Sequence, residues 1–165
     1  MSSLDPLPQK GINASQVDAS GMRVALVCAR FNHDITGRLE SGAREALVSH
    51  GAADADVHTV WVPGALEVPV AANLLARSGR YDAVVGLGAV VRGETYHFEV
   101  VSNESAAGLM RVALDTGVVV TNGIITVDDM TQALARIGGA HGHKGAEAAV
   151  AAVETLQAVR AVLPR

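Results

Sequence analysis

Apolar and polar positions alternate with a period that changes repeatedly along the chain, and each change predicts an element. Val24–Ala29 is an unbroken apolar run, which predicts a strand buried on both faces. In Gly37–His50 the residues Leu39, Ala43, Ala46 and Leu47 share one helical face, and Gly51 supplies a C-terminal stop. Val57–Val62 predicts a second strand. Pro63-Gly64 then turns the chain into a helix over Leu66–Arg77, which accepts Pro69 only in its first turn. Ala83–Val91 predicts a third buried strand. From about Tyr96 to Thr116 a helix places Val101, Ser105, Leu109 and Val112 on one face. Val118–Ile125 predicts a fourth strand, and Asp129–Ile137 a short helix with Thr126 or Asp128 as its N-cap. Gly138–Gly142 breaks the chain before a final alanine-rich helix over His143–Val162.

Strands that alternate with helices predict an α/β fold, with a four-stranded parallel sheet, right-handed connections and helices on both faces. Residues 1–20, with Pro6, Pro8 and Gly11 among polar neighbours, predict an extended N-terminal arm. Residues 21–165 form a single domain. A sheet of four strands leaves an open edge for the arm or a neighbouring subunit to cover.

Composition narrows the function. A chain of 165 residues suits one domain with a substantial core. Hydrophobic residues make up 49% but aromatics only 3%, so Ala, Val, Leu and Ile must build that core, and an exposed aromatic calls for a reason. A net charge of -4 without a basic run argues against a general polyanion binder. Phosphate contacts would come from single residues in a pocket. Cys28, the sole cysteine, lies in the first strand and permits no internal disulfide. There is no hydrophobic signal region at the N-terminus. No apolar stretch approaches the ~20 residues that span a bilayer. These features predict a soluble protein of the reducing cytoplasm.

In an open α/β sheet, ligands bind beyond the carboxyl ends of the strands. Four segments follow the strands: Arg30–His33, Pro63–Glu67, Arg92–His97 and Thr126–Asp129. In the third, a strand feeds a helix through Gly93-Glu94-Thr95, which offers free backbone N–H groups to an anion. His97 stands beside them as a candidate general base. An ordinary strand–turn–helix with a surface histidine has the same pattern. Phe31 either stacks on a planar ring or plugs the edge of the core. Glu67 either complements the positive end of a helix or binds substrate hydroxyls, and Glu94 reads as a solvated turn charge. Arg136 and Lys144 flank the glycine break, where they face phosphate or remain solvated helix-end charges. His141-x-His143 is a weak metal signal without further ligands, and it reads better as a flexible polar loop. Gly86-x-Gly88 lies inside a strand and fails the dinucleotide fingerprint, and no Walker motif is present.

Taken together, Arg30-Phe31-Asn32, Trp61-Val62-Pro63-Gly64-Ala65-Leu66-Glu67, Leu87–Phe98, Asn122–Thr126, Gln132–Arg136 and Gly142–Gly145 resemble the 6,7-dimethyl-8-ribityllumazine synthases, from about Met22 to the last helix. The resemblance implies a flavodoxin-like three-layer sandwich and the penultimate step of riboflavin synthesis. That step condenses 5-amino-6-(D-ribitylamino)uracil with 3,4-dihydroxy-2-butanone 4-phosphate, releases phosphate and water, and uses no cofactor and no metal. It implies that Phe31 stacks on the pyrimidine, with Asn32 beside it. Gly64, Ala65, Leu66 and Glu67 hold the ribityl chain, and Ala89, Val90, Val91 and Asn122 line the ring pocket. Gly93, Glu94 and Thr95 receive the phosphate with Arg136. His97 transfers protons, with Lys144 nearby. Two positions depart from many members: Asn122 replaces an aromatic, and Glu94 replaces alanine or glutamine. The resemblance further implies homopentamers with sites shared between neighbours. The short connection 138–144 favours twelve pentamers in an icosahedral shell, and riboflavin synthase becomes a candidate partner. A flavin-binding module of the same fold without turnover, or a mainly structural shell protein, is the competing expectation. His97 with Arg136 favours the enzyme, because a binder needs no proton shuttle.

Overall fold

The computed structural model describes residues 16–163. Its three apolar runs form β1 (Val24–Ala29), β2 (Val57–Val62) and β3 (Ala83–Val91), with the bounds the sequence predicts. The helices are α1 (His33–Ser49), α2 (Glu67–Arg77) and α3 (His97–Thr116). They are followed by β4 (Val119–Val127), the short α4 (Met130–Leu134), a hairpin of β5 (Ile137–Gly139) and β6 (Gly142–His143), and α5 (Lys144–Arg160).

The main sheet is parallel in the order β2-β1-β3-β4. Alternate side chains of the central strands pack on opposite layers, as the period of a strand requires. Leu26 and Leu87 join Leu39 and Leu47 of α1 and Ala149 and Val153 of α5. Val27 and Val84 join Val68 and Ala72 of α2 and Leu109 of α3 on the other face. Small residues let these layers approach closely. A Cβ added to Gly145 would stand 2.1 Å from the carbonyl oxygen of Leu39, so α1 and α5 meet backbone to backbone there.

Four expectations are corrected in detail. α1 begins at His33, well before Gly37, because Asn32 turns the chain in a left-handed conformation (φ 60, ψ 43) and its carbonyl accepts the N–H groups of Ile35 and Thr36. The N-cap of α4 is Asp129, whose carboxylate accepts the Gln132 N–H at 2.9 Å. Thr126 is consumed by the longer β4, and Asp128 pairs with Arg92. The glycine break is the β5–β6 hairpin, where Gly138 (φ 101) and Gly142 (φ 78) take conformations that L side chains rarely adopt. His143 is the N-cap of α5, with Nδ1 accepting the Ala146 N–H at 3.1 Å.

Residues 1–15 of the expected arm lie outside the described residues. Its last part belongs to the domain. Val17 and Ala19 are buried in the core, the Ala19 N–H donates to the His50 carbonyl, and the Asp18 N–H donates to Gln157 Oε1. Among the described residues β2 and β4 are the edges of the main sheet, and no helix is long and apolar enough to cross a membrane.

Candidate active site

The strand order reverses between β1 and β3, and there, beyond the carboxyl ends of the strands, lies a pocket of about 380 Å³. That size suits a small-molecule site. The exit of β1 contributes Ala29, Phe31 and Asn32, and the exit of β2 contributes Gly64, Ala65, Leu66 and Glu67. The end of β3 adds Ala89, Val90 and Val91. The turn after it, with α3, adds Gly93, Thr95, His97, Phe98 and Val101. Three of the four strand exits therefore converge.

Backbone hydrogen bonds fix the loops that make these walls. The Arg30 and Phe31 N–H groups donate to the carbonyls of Val62 and Pro63, which joins the first exit to the second. Asn32 Nδ2 donates to the Ala89 carbonyl at 2.9 Å, which joins the first exit to β3. Phe31 is left 74% exposed, so it does not plug the core and presents its ring at the pocket. The chain has only two phenylalanines, and both line this pocket.

Two helices start at the pocket without side-chain caps. Leu66 precedes α2 and Tyr96 precedes α3, and neither cap residue makes a side-chain bond to its helix. The Glu67, Val68 and Glu99 N–H groups donate to the carbonyls of Gly64, Ala65 and Tyr96, and the His97 N–H donates to Thr95 Oγ1 at 3.4 Å. Among the described residues the Phe98 N–H is left without a partner, and such a group at a helix start suits an anion or a polar ligand. The Glu67 carboxylate and the His97 ring make no hydrogen bond within the described residues, so both are available to a ligand.

Beside the pocket, Arg92 Nε donates to Asp128 Oδ1 at 2.9 Å and its Nη1 donates to Glu99. The guanidinium holds both carboxyls below the usual carboxylate range, chiefly through these hydrogen bonds. Its carbon lies 4.2 Å from the centroid of the Phe98 ring. Cys28 is far from any such chemistry. Burial pushes its thiol up to about 12, which makes it inert as a nucleophile.

A model of the family described as 6,7-dimethyl-8-ribityllumazine synthase matches residues 21–160. The chain belongs to this family. It is accordingly a transferase-type enzyme of riboflavin biosynthesis that condenses the ribitylaminouracil with the butanone phosphate. The match includes every segment that builds the pocket, and the four-stranded parallel sheet agrees with the lumazine synthase fold.

The expected site residues divide into two groups. Phe31, Asn32, Gly64, Ala65, Leu66, Glu67, Ala89, Val90, Val91, Gly93, Thr95 and His97 stand together. Glu94, Asn122, Arg136 and Lys144 do not line the pocket of their own chain. Glu94 is exposed in the turn. Asn122 lies within β4 opposite Gly86, and its Oδ1 accepts the Ile124 N–H. Arg136 Nη1 donates to the Gln132 carbonyl at 2.9 Å, and Lys144 pairs with Glu147 at 2.7 Å. Sequence reasoning assigned no role to Ala29, Phe98 or Val101 at the site. The scarcity of aromatics was the one signal that singled out Phe98.

Proposed function

We propose that this pocket is the site of the condensation, with Phe31 as the platform for the pyrimidine, Asn32 beside it, and Ala89–Val91 as the ring wall. Gly64–Leu66 and the unpaired Glu67 take the ribityl chain, its hydroxyls donating to the carboxylate. The uncapped start of α3, with Gly93 and Thr95, takes the phosphate, and His97 moves protons. The observation that carries this reading is the convergence of an exposed phenylalanine, an unpaired carboxylate, an unpaired histidine and an uncapped helix start on one pocket.

The chemistry fits the residues. The arylamine nitrogen attacks the ketone and water leaves, phosphate is eliminated, and the ribitylamino nitrogen closes the ring on the remaining carbonyl with loss of a second water, so each step moves a proton. An imidazole carries two ring nitrogens, so it can accept a proton in one step and donate it in another. Much of the acceleration comes from holding two substrates against each other.

Arg136, Lys144 and Asn122 enter the reading as groups from a neighbouring copy in a homopentamer, which places a cation beside the phosphate of the adjacent pocket. The exposed apolar residues of α2 and α3 support such contacts: Val70, Leu74, Met110 and Leu114 form pairs one turn apart. The short β5–β6 hairpin between α4 and α5 supports the further packing of twelve pentamers into a shell, with riboflavin synthase as a candidate partner. Light scattering that finds only the mass of five chains at every concentration, phosphate buffer included, would remove the shell. The lone inert cysteine is consistent with a cytoplasmic location.

The test is to mix the protein with both substrates and follow the absorbance of the lumazine. The wild type forms it, and His97→Ala slows the chemical step by about 10- to 10⁴-fold. A variant with unchanged turnover removes His97 from the mechanism.

A further inference from the structure

We propose that Arg92 is a positioning residue that fastens the uncapped first turn of α3, and with it His97 and Phe98, to the ends of β3 and β4. The inference rests on the reading of His97 as the proton-transfer residue.

A helix start that receives an anion leaves N–H groups to its ligand, and the one local side-chain bond here is the long one from the His97 N–H to Thr95 Oγ1 at 3.4 Å. Tyr96 makes no cap bond. The turn that carries His97 and Phe98 therefore needs to be held from outside. Arg92 meets that need through four contacts. Its backbone N–H donates to the Val127 carbonyl at 2.8 Å, which anchors it to the last residue of β4. Its Nε reaches Asp128, the residue that follows β4, and its Nη1 reaches Glu99 in the first turn of α3. Its planar face lies over Phe98, which lines the pocket.

Arg92 itself does not line the pocket, so it acts through its neighbours. A single exposed ion pair would do little here. A fork between two carboxylates with an aromatic beneath it fixes a direction, and that is what a lysine in its place would lose. Glu99 and Asp128 would also stand uncompensated beside the phosphate end of the site if Arg92 were removed.

Steady-state kinetics with both substrates tests this on Arg92→Gln, Arg92→Lys, Glu99→Gln and the double variant Arg92→Gln/Glu99→Gln. Arg160→Gln, which breaks a pair with Asp82 elsewhere, is the control for loss of a surface ion pair. Arg92→Gln should lower kcat by about 10- to 100-fold, the scale of a slight misplacement of reacting groups. The KM for the ribitylaminouracil should stay within about 2-fold, because Phe31 and Glu67 keep their places. Arg92→Lys should fail to rescue. The double variant should be no worse than Arg92→Gln alone, since both changes break one latch. Rescue by lysine, multiplicative effects in the double variant, or a kcat equal to that of Arg160→Gln would each overturn the proposal. His97→Ala in the same assay separates the two ideas. If it keeps its turnover, the underlying reading fails; if it is slow while Arg92→Gln is normal, only the role of Arg92 fails.

Discussion

Asn32 and Ala89 are joined by a hydrogen bond of 2.9 Å from the side-chain amide of one to the backbone carbonyl of the other, across the point where the strand order reverses. The bond ties the Phe31 loop to the pocket wall at the end of β3. Among the described residues Asn32 is also the one non-glycine with a positive φ. Asparagine tolerates that conformation better than most L residues.

Two properties of Asn32 can therefore be separated by substitution. Asn32→Ala keeps the backbone strain and loses the bond, and should cost about 1–2 kcal/mol. Asn32→Gly loses the bond but relaxes the strain, so its cost should be smaller. Both should raise the KM for the ribitylaminouracil, because Phe31 loses its tether. Urea unfolding with an unchanged slope, together with the two Michaelis constants, checks the order. Equal stability of the alanine and glycine variants would show that the turn carries no strain.

Much of this architecture was legible because apolar runs bounded by turn residues fix strands well. β1, β2 and β3 have the predicted bounds. The rule that ligands sit beyond strand ends then brought Phe31, Glu67, Gly93, Thr95 and His97 together, and the structure places them in one pocket. What stayed hidden depends on contacts between distant residues. The polar pair His33-Asp34 concealed the start of α1, since only the left-handed Asn32 makes that start possible. The sequence assigned Arg92 no role of its own, because its partner Asp128 lies 36 residues away. His143 looked like a loop histidine because its place beneath Gly42 of α1 follows from packing, not from local pattern.

Glycines illustrate the same division and give a stability test. Gly37 and Gly145 both lie in helices without a positive φ, and the sequence does not distinguish them. A Cβ on Gly37 meets nothing within 4 Å, whereas one on Gly145 collides with the Leu39 backbone. Gly37→Ala should therefore stabilise by about 0.5–1 kcal/mol through reduced backbone freedom. Gly145→Ala should destabilise by about 1–3 kcal/mol through overpacking. Thermal melts of the pair decide it, and a stable Gly145→Ala would mean that α5 can move away from α1.

Cys28 gives a pH test. Burial raises its folded-state pKa from 9.0 to about 12, so the folded protein retains a proton that the unfolded chain loses. Its contribution to stability is complete below pH 9 and declines as the pH rises toward 12. Cys28→Ala should show a shallower alkaline loss of stability than the wild type over that window, despite the small cavity it leaves. A thiol reagent at neutral pH should label the unfolded chain and spare the native one. Rapid labelling of the native protein would show that β1 opens.

Arg136 decides whether sites are shared. It does not line the pocket of its own chain, and Gln132 and the β5–β6 hairpin fix its segment. If it serves a neighbour, Arg136→Ala should weaken the butanone phosphate far more than the ribitylaminouracil, because a guanidinium pairs with phosphate oxygens. A sharper test mixes two impaired chains. In assemblies refolded from equal amounts of His97→Ala and Arg136→Ala chains, half of the pockets carry His97. Half of those face a neighbour that carries Arg136. About a quarter of the sites are then intact, as a head-to-tail ring requires. At limiting butanone phosphate, activity should return to about that fraction of wild type from two preparations that have almost none. Native mass spectrometry confirms that the chains have mixed. Mixed assemblies without recovered activity would mean that each chain supplies both residues to one site, and the neighbour's role would be lost.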